Sequence, residues 1–201
     1  MNYFVTAIDT DSGKTFVSAI LCVMLGYDYW KPVQAGLPKD SDTIKMLIPD
    51  VSVHPETYFL KTPASPHAAA KLDGIEIDMN NITLPSTANG IIIEGAGGCL
   101  VPLNQHNFVI ELAPKFNAEI ILVADLYLGS INHTLLTVHF LKTHQYRVKG
   151  IIFNGTSNPE SEQIILHHSG YKYLGHINNE TSISAETVKR YASQIKSHWD
   201  E

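Results

Sequence analysis

Apolar residues in this chain fall into short runs, with amphipathic stretches between them. Residues 3–8 form a nearly unbroken apolar run and predict a buried strand. Residues 15–25 are mostly apolar over a longer span and predict a helix. The same reading gives strands over 27–30, 90–93, 119–124, 149–153 and 171–175. Between them it places helices over 43–47, 66–71, 108–116, 131–143, 160–168 and 184–199. Continuous Val/Ile/Leu strands alternating with helices predict an α/β fold: a mostly parallel sheet with helices on both faces, in three layers. The least regular stretch is 36–63, which carries Pro38, Pro49, Pro55 and Pro63. It reads as loops over the sheet edge where ligands bind. No repeat or linker divides the chain, so residues 1–201 are expected to form a single domain.

Composition narrows the function. Hydrophobic residues make up 44% of the 201, enough for a substantial core. No apolar run reaches the ~20 residues of a membrane span. The N-terminus shows no basic leader or cleavage site, which predicts a cytoplasmic protein. Cys22 and Cys99 cannot build a disulfide framework, and this also fits a reducing compartment. A net charge of -6 without a Lys/Arg cluster disfavours nucleic acid or an anionic membrane as partner. A local anion site built from backbone N–H groups remains open.

Such a site is written into Ala7-Ile8-Asp9-Thr10-Asp11-Ser12-Gly13-Lys14-Thr15. This segment follows the first predicted strand and opens the first predicted helix. Backbone N–H groups of such a turn, with the helix N-terminus behind them, cradle phosphate. Lys14 would reach the β/γ-phosphates, and the Thr15 hydroxyl would face Mg²⁺. The strict G-x-x-x-x-G-K-[ST] pattern is not met, because Ile8 stands at the first glycine position. A second constellation is Glu94-Gly95-Ala96-Gly97-Gly98, at the end of a predicted strand. There a carboxylate can hold Mg²⁺, and glycines let backbone approach a phosphate. Asp42 is a third candidate Mg²⁺ carboxylate. Lys31, ahead of Pro32, is placed to neutralise a transferring phosphoryl group. Gly129-Ser130 before a predicted helix offers a turn and an N-cap, with free N–H groups for a substrate carboxylate.

In order and spacing these segments resemble the dethiobiotin synthetases. That family's Gly-Thr-Asp-Thr-x-x-Gly-Lys-Thr loop is matched by Asp9-Thr10 and Gly13-Lys14-Thr15. Its Lys-Pro-Val is matched by Lys31 to Val33, and its Ser-Pro-His by Ser65-Pro66-His67. Its Glu-Gly-Ala-Gly-Gly with a following Pro-Leu is matched by Glu94 to Gly98 and Pro102-Leu103. Its Leu-Gly-x-Ile-Asn-His-x-Leu-Leu-Thr is matched by Leu128-Gly129, Ile131 to His133 and Leu135 to Thr137.

The resemblance implies a P-loop ligase that closes the ureido ring of dethiobiotin from 7,8-diaminopelargonic acid, CO₂ and ATP with Mg²⁺. It makes Lys31 and Lys14 catalytic, and Thr15, Asp42 and Glu94 the Mg²⁺ ligands. Nucleotide contacts are implied for Asp11, Ser12, Gly13, Lys14, Thr15, Phe16, Gly95, Ala96, Gly97 and Asn154, the last on the adenine. Substrate contacts are implied for Thr10, Lys31 and Ala35. Gly129, Ser130, Ile131 and Asn132 would serve substrate held mainly by a second subunit, which implies a homodimer. The chain departs from the family at Ala7 and Ile8, at Ala35 where a hydroxyl is usual, and at Asn178-Asn179 where a proline is common. A partition-type P-loop ATPase switch and a ligand-binding homologue without activity are the alternatives. The first usually carries an additional lysine early in the loop, and Ile8-Asp9-Thr10 has none.

Overall fold

The computed structural model describes residues 1–199. Its main sheet has seven strands: β1 (Asn2–Ala7), β2 (Asp28–Trp30), β4 (Val53–His54), β6 (Ile91–Gly98), β7 (Glu119–Asp125), β8 (Val148–Asn154) and β9 (Tyr173–Ile177). They run in the order β4-β2-β6-β1-β7-β8-β9, and every pairing is parallel. A separate parallel pair joins β3 (Val33–Ala35) to β5 (Tyr58–Leu60). Parallel strands need crossovers, and helices supply most of them. These are α1 (Lys14–Leu25), α2 (Asp40–Leu47), α3 (Pro66–Asp73), α4 (Leu112–Lys115), α5 (Ser130–Thr143), α6 (Pro159–Ser169) and α7 (Ala185–Trp199).

Strand alternation sorts the core into two layers. Tyr3, Val5 and Ala7 face one side of the sheet, where they pack with residues of α1, α2 and α7. Phe4 faces the other, together with Trp30, Ile91, Ile93 and residues from α3, α4, α5 and α6. The three-layer expectation is therefore met. In α7, Val188, Tyr191, Ala192, Ile195 and Trp199 repeat at helical spacing and form its buried stripe. Among the described residues no helix is long and apolar enough to cross a membrane.

Several boundaries differ from the sequence expectation, each for a local reason. The 90–93 strand continues to Gly98, since the glycine-rich end still pairs beside β1. The last strand begins at Tyr173, because Ser169 Oγ accepts the Tyr171 N–H and closes the end of α6. The 108–116 helix is split into a 3₁₀ turn (Val109–Glu111) and α4. There the Glu111 carboxylate reaches back to accept the Phe108 N–H at 2.8 Å. The 36–63 stretch is more than loops, for it holds α2, β4 and β5. Its strands are two or three residues long, too short for a periodic signal.

The edge of the sheet near β4 is tied by Asp28. Its carboxylate accepts from Thr87 Oγ1 at 2.6 Å and Asn89 Nδ2 at 3.2 Å, and meets His54 Nε2 at 3.0 Å. Burial works against this charge, but the three partners outweigh it and hold the carboxyl below the usual aspartate range. A lowered folded-state pKa gives stability that is present above the ordinary aspartate range and lost as pH falls through the lower, folded value. Asp28→Ala is expected to cost about 2 kcal/mol at neutral pH. It should also reduce the acid dependence of stability, read by denaturant unfolding at several pH values.

Candidate active site

The chain first turns from sheet to helix at residues 8–13. Gly13 precedes α1 with φ +88°, and a Cβ there would stand 2.6 Å from Asn154 Nδ2. The position thus excludes a side chain on both conformational and steric grounds. No side chain caps α1, so the N–H groups of its first turn face outward unclaimed by a cap. Beneath the loop, Ser12 Oγ donates to Asp9 O at 3.1 Å, and Asn154 Nδ2 donates to Ser12 O at 3.1 Å. Lys14 Nζ donates to Asp9 O at 3.1 Å, folding the lysine over its own loop.

Next to this loop, between α1, α2, β2 and β6, five side chains converge. Lys31 Nζ donates to Glu94 Oε1 at 3.0 Å and to Asp40 Oδ2. Thr15 Oγ1 lies 2.9 Å from Glu94 Oε1 and 3.1 Å from Asp40 Oδ1. Tyr29 OH donates to Glu94 Oε2 at 2.9 Å. Glu94 is only 1% exposed, so these partners take the place of water around its carboxylate oxygens. Burial opposes the charge on Lys31, but Glu94 and Asp40 outweigh it and raise its pKa. Burial pulls the Lys14 pKa down, and the nearby Lys31 charge adds to the fall against the pull of Glu94. Burial and then the Glu94 charge hold the Tyr29 phenol well above its usual range, so it remains a donor.

Lys14, Thr15, Lys31, Asp40 and Glu94 line one cleft of about 840 Å³, and Tyr29 lies buried outside its wall. Of the residues expected there, Thr10, Asp11, Gly13, Lys14, Thr15, Phe16, Lys31, Ala35, Glu94, Ala96 and Gly97 contribute to its wall. Asp42 does not. It is exposed on α2, and Asp40, two residues earlier, is the carboxylate that meets Lys31 and Thr15. The helix starts at Asp40, with the Asp40 N–H donating to Gln34 Oε1 at 3.2 Å. Residues two apart on a helix point about 200° away from each other. Only one of the pair can face the cleft.

Ser12, Gly95 and Asn154 lie behind the wall rather than in it. Asn154 braces the loop, and Gly95 fits against Phe4 and Val109. Gly129, Ser130, Ile131 and Asn132 also lie outside this cleft. There Gly129, at φ +107°, is the cap residue, and Ser130 is the first, buried residue of α5. Sequence reasoning missed Gln34, Asp40, Met46 and Ile183 in the wall. Asp40 reads as part of the loop ahead of the predicted 43–47 helix, and only the start of α2 at Asp40 brings it into play. The others carried no signal.

The donor set is two carboxylates and a hydroxyl on converging elements, all oxygen. Such a set suits Mg²⁺, which takes one or two carboxylates and completes its shell with water and phosphate. Among the described residues no three His, Cys, Asp or Glu side chains gather into a metal cluster. An all-protein cage for a softer metal is thus not found there.

Comparison with known proteins places the chain in a family. A family described as an AAA domain matches residues 1–187. The ATP-dependent dethiobiotin synthetase BioD of Cytophaga hutchinsonii is 57% identical over 203 aligned positions, covering 99% of this chain and 98% of the relative. The chain belongs to the dethiobiotin synthetase family. A further family member, from Chlamydia felis, is 41% identical over 100% of this chain and 97% of its own length. Among solved structures, the cell-division protein MinD of Aquifex aeolicus superposes with TM-score 0.54 at 14% identity, over 98% of this chain and 94% of that one. A ParA family ATPase of Chlorobium tepidum gives 0.52 at 12% identity, over 96% and 98%. At that identity the likeness shows a shared fold and nothing finer. The dethiobiotin synthetase relationship instead spans nearly the whole chain in sequence.

Proposed function

We propose that this chain catalyses closure of the ureido ring of dethiobiotin from 7,8-diaminopelargonic acid and CO₂, with MgATP, releasing ADP and phosphate. One amine adds CO₂, loses a proton and becomes a carbamate. A carbamate oxygen attacks the γ-phosphorus, and ADP leaves. The second amine attacks the carbonyl carbon of the resulting carbamic–phosphoric anhydride, the ring closes, and phosphate departs.

The observation that carries this proposal is the meeting of Lys31, Asp40, Glu94 and Thr15 beside the phosphate loop. Phosphoryl transfer needs positioning and charge neutralisation more than a covalent partner. Lys14 and the first-turn N–H groups of α1 hold the triphosphate. Lys31 stands at the strand end where the γ-phosphate and the carbamate would meet, and offsets their joint negative charge. Thr15, Asp40 and Glu94 would hold Mg²⁺, which when bound supplies neutralising charge to the β- and γ-phosphates. Ring closure is intramolecular, so holding the diamine in place does most of what remains. Thr10, Ala35 and Gln34 line the part of the cleft assigned to it. Ala35 brings no hydroxyl there, and the amide of Gln34 is the nearest polar side chain in sequence.

The proposal includes a homodimer. Leu128 is wholly exposed just ahead of α5, with Ile131 exposed in the helix's first turn and Leu136 exposed midway along it. An apolar knob of this kind is suited to a second copy, with Gly129 to Asn132 turned toward that copy's substrate. The function is tested by incubating the protein with diamine, bicarbonate, ATP and Mg²⁺. Ring product with stoichiometric ADP is expected. ADP formation that is independent of the diamine, with no ring product, would overturn the proposal.

A further inference from the structure

Glu94 divides its two oxygens between different tasks. Oε1 accepts from Thr15 Oγ1 and Lys31 Nζ, and so faces the cleft. Oε2 points away from them and accepts from Tyr29 OH at 2.9 Å. Among the described residues no other group donates to Oε2. Tyr29 is wholly buried in the apolar layer with Phe16, Ile20, Ile44 and Leu47, so its hydroxyl is shielded from bulk water. Tyr29 and Lys31 are two apart in extended chain and hence emerge on the same side. Each takes one oxygen of the same carboxylate. A Glu side chain has three rotatable bonds, and a carboxylate fixed at one oxygen only can still roll about its last one. With both oxygens fixed, the roll is set.

We infer that Tyr29 is a positioning residue, whose buried hydroxyl fixes the roll of the Glu94 carboxylate so that one defined oxygen is presented to the divalent cation. This rests on the cleft being a metal–nucleotide site. It does not require the ring-closing reaction. Loss of a hydrogen-bond partner behind a metal ligand typically weakens metal affinity by about 10–100-fold.

The test is Tyr29→Phe, which keeps the ring and its packing and removes only the donor. Mn²⁺ serves as the probe, titrated by electron paramagnetic resonance in the presence of a saturating non-hydrolysable ATP analogue. The Mn²⁺ dissociation constant is expected to rise about tenfold, while affinity for the same analogue in chelator stays within about twofold. Ile44→Val, in the same apolar layer, lowers the melting temperature and leaves Mn²⁺ affinity in place if the effect is one of orientation. A double-mutant cycle covers a general loss of structure: in a Glu94→Gln background, Tyr29→Phe should add no further loss of Mn²⁺ affinity. Wild-type Mn²⁺ affinity in Tyr29→Phe would overturn the inference. So would an equal loss of metal-free nucleotide binding, or full additivity with Glu94→Gln. Failure to make dethiobiotin while Mn²⁺ binding behaves as described would overturn the proposed function and leave the role of Tyr29 standing. Absence of Mn²⁺ binding by the unaltered protein with the analogue would overturn the metal site and this inference together.

Discussion

Lys31→Ala is expected to lower kcat for dethiobiotin formation by about 10²–10³-fold, the loss typical when a group that stabilises developing negative charge is removed. Nucleotide affinity should change far less, because Lys14 and the α1 N–H groups hold the phosphates from the other side. The substitution has a second effect that follows from burial. Lys31 is the ammonium between Asp40 and Glu94, and Glu94 is almost fully buried. Removing it takes away the ammonium bonded to both carboxylates, leaving only the more distant Lys14 charge, and breaking a buried pair in this way costs about 3–5 kcal/mol in folded proteins. Thermal melts should therefore show the variant to be markedly less stable than the parent without Mg²⁺. Added Mg²⁺ should raise the melting temperature of the variant more than that of the parent. Unchanged kcat would remove Lys31 from the reaction. An equal response of both proteins to Mg²⁺ would remove the two carboxylates from the cation site.

The paired substitutions Asp40→Asn and Asp42→Asn should separate sharply. Asp40 bonds Thr15 and Lys31 in the cleft, whereas Asp42 is exposed on α2. Asp40→Asn is expected to reduce activity by roughly 100-fold at limiting Mg²⁺, the upper end of what loss of a group supporting a metal site produces. Part of this should be recovered at high Mg²⁺. Asp42→Asn should stay within about twofold, as expected for an exposed charge outside the wall. The measurement is initial rate against Mg²⁺ concentration. The reverse ranking would return the metal role to Asp42.

The confusion between these two aspartates shows where sequence stops being informative. β1, the loop and α1 were legible because a buried apolar run, a Gly-Lys-Thr turn and a second apolar run are all local signals. Lys31 and Glu94 were legible because each follows a short apolar strand run and stands beside a conformationally special residue, Pro32 and Gly95, although β6 itself continues past Glu94 to Gly98. Asp40 and Asp42 lie in one short polar segment, and pattern alone does not say which faces inward. That choice is made by contacts distant in sequence. Gln34 takes the Asp40 N–H, and Glu56 receives both Lys39 Nζ at 3.1 Å and Ser41 Oγ. Together they fix the start and rotation of α2. The β3–β5 pair escaped notice for a related reason: each strand has three residues, and neither is defined without the other. Gln34 itself reads as an unremarkable polar residue until β3 places it between the cleft and the head of α2.

The cleft also brings its own charge balance. Two ammonium groups, on Lys14 and Lys31, stand against three carboxylates, on Asp11, Asp40 and Glu94, so both lysine charges are already offset in the free protein. A stray divalent ion must first compete with a lysine for its carboxylates. A bare polyphosphate, in turn, meets carboxylates as well as lysines. Each ligand alone is opposed by part of this internal pairing, and each relieves the other's difficulty when they arrive as one complex. Selectivity for the metal–nucleotide pair over either component would then come from the salt bridge already in place, before any part of the backbone moves.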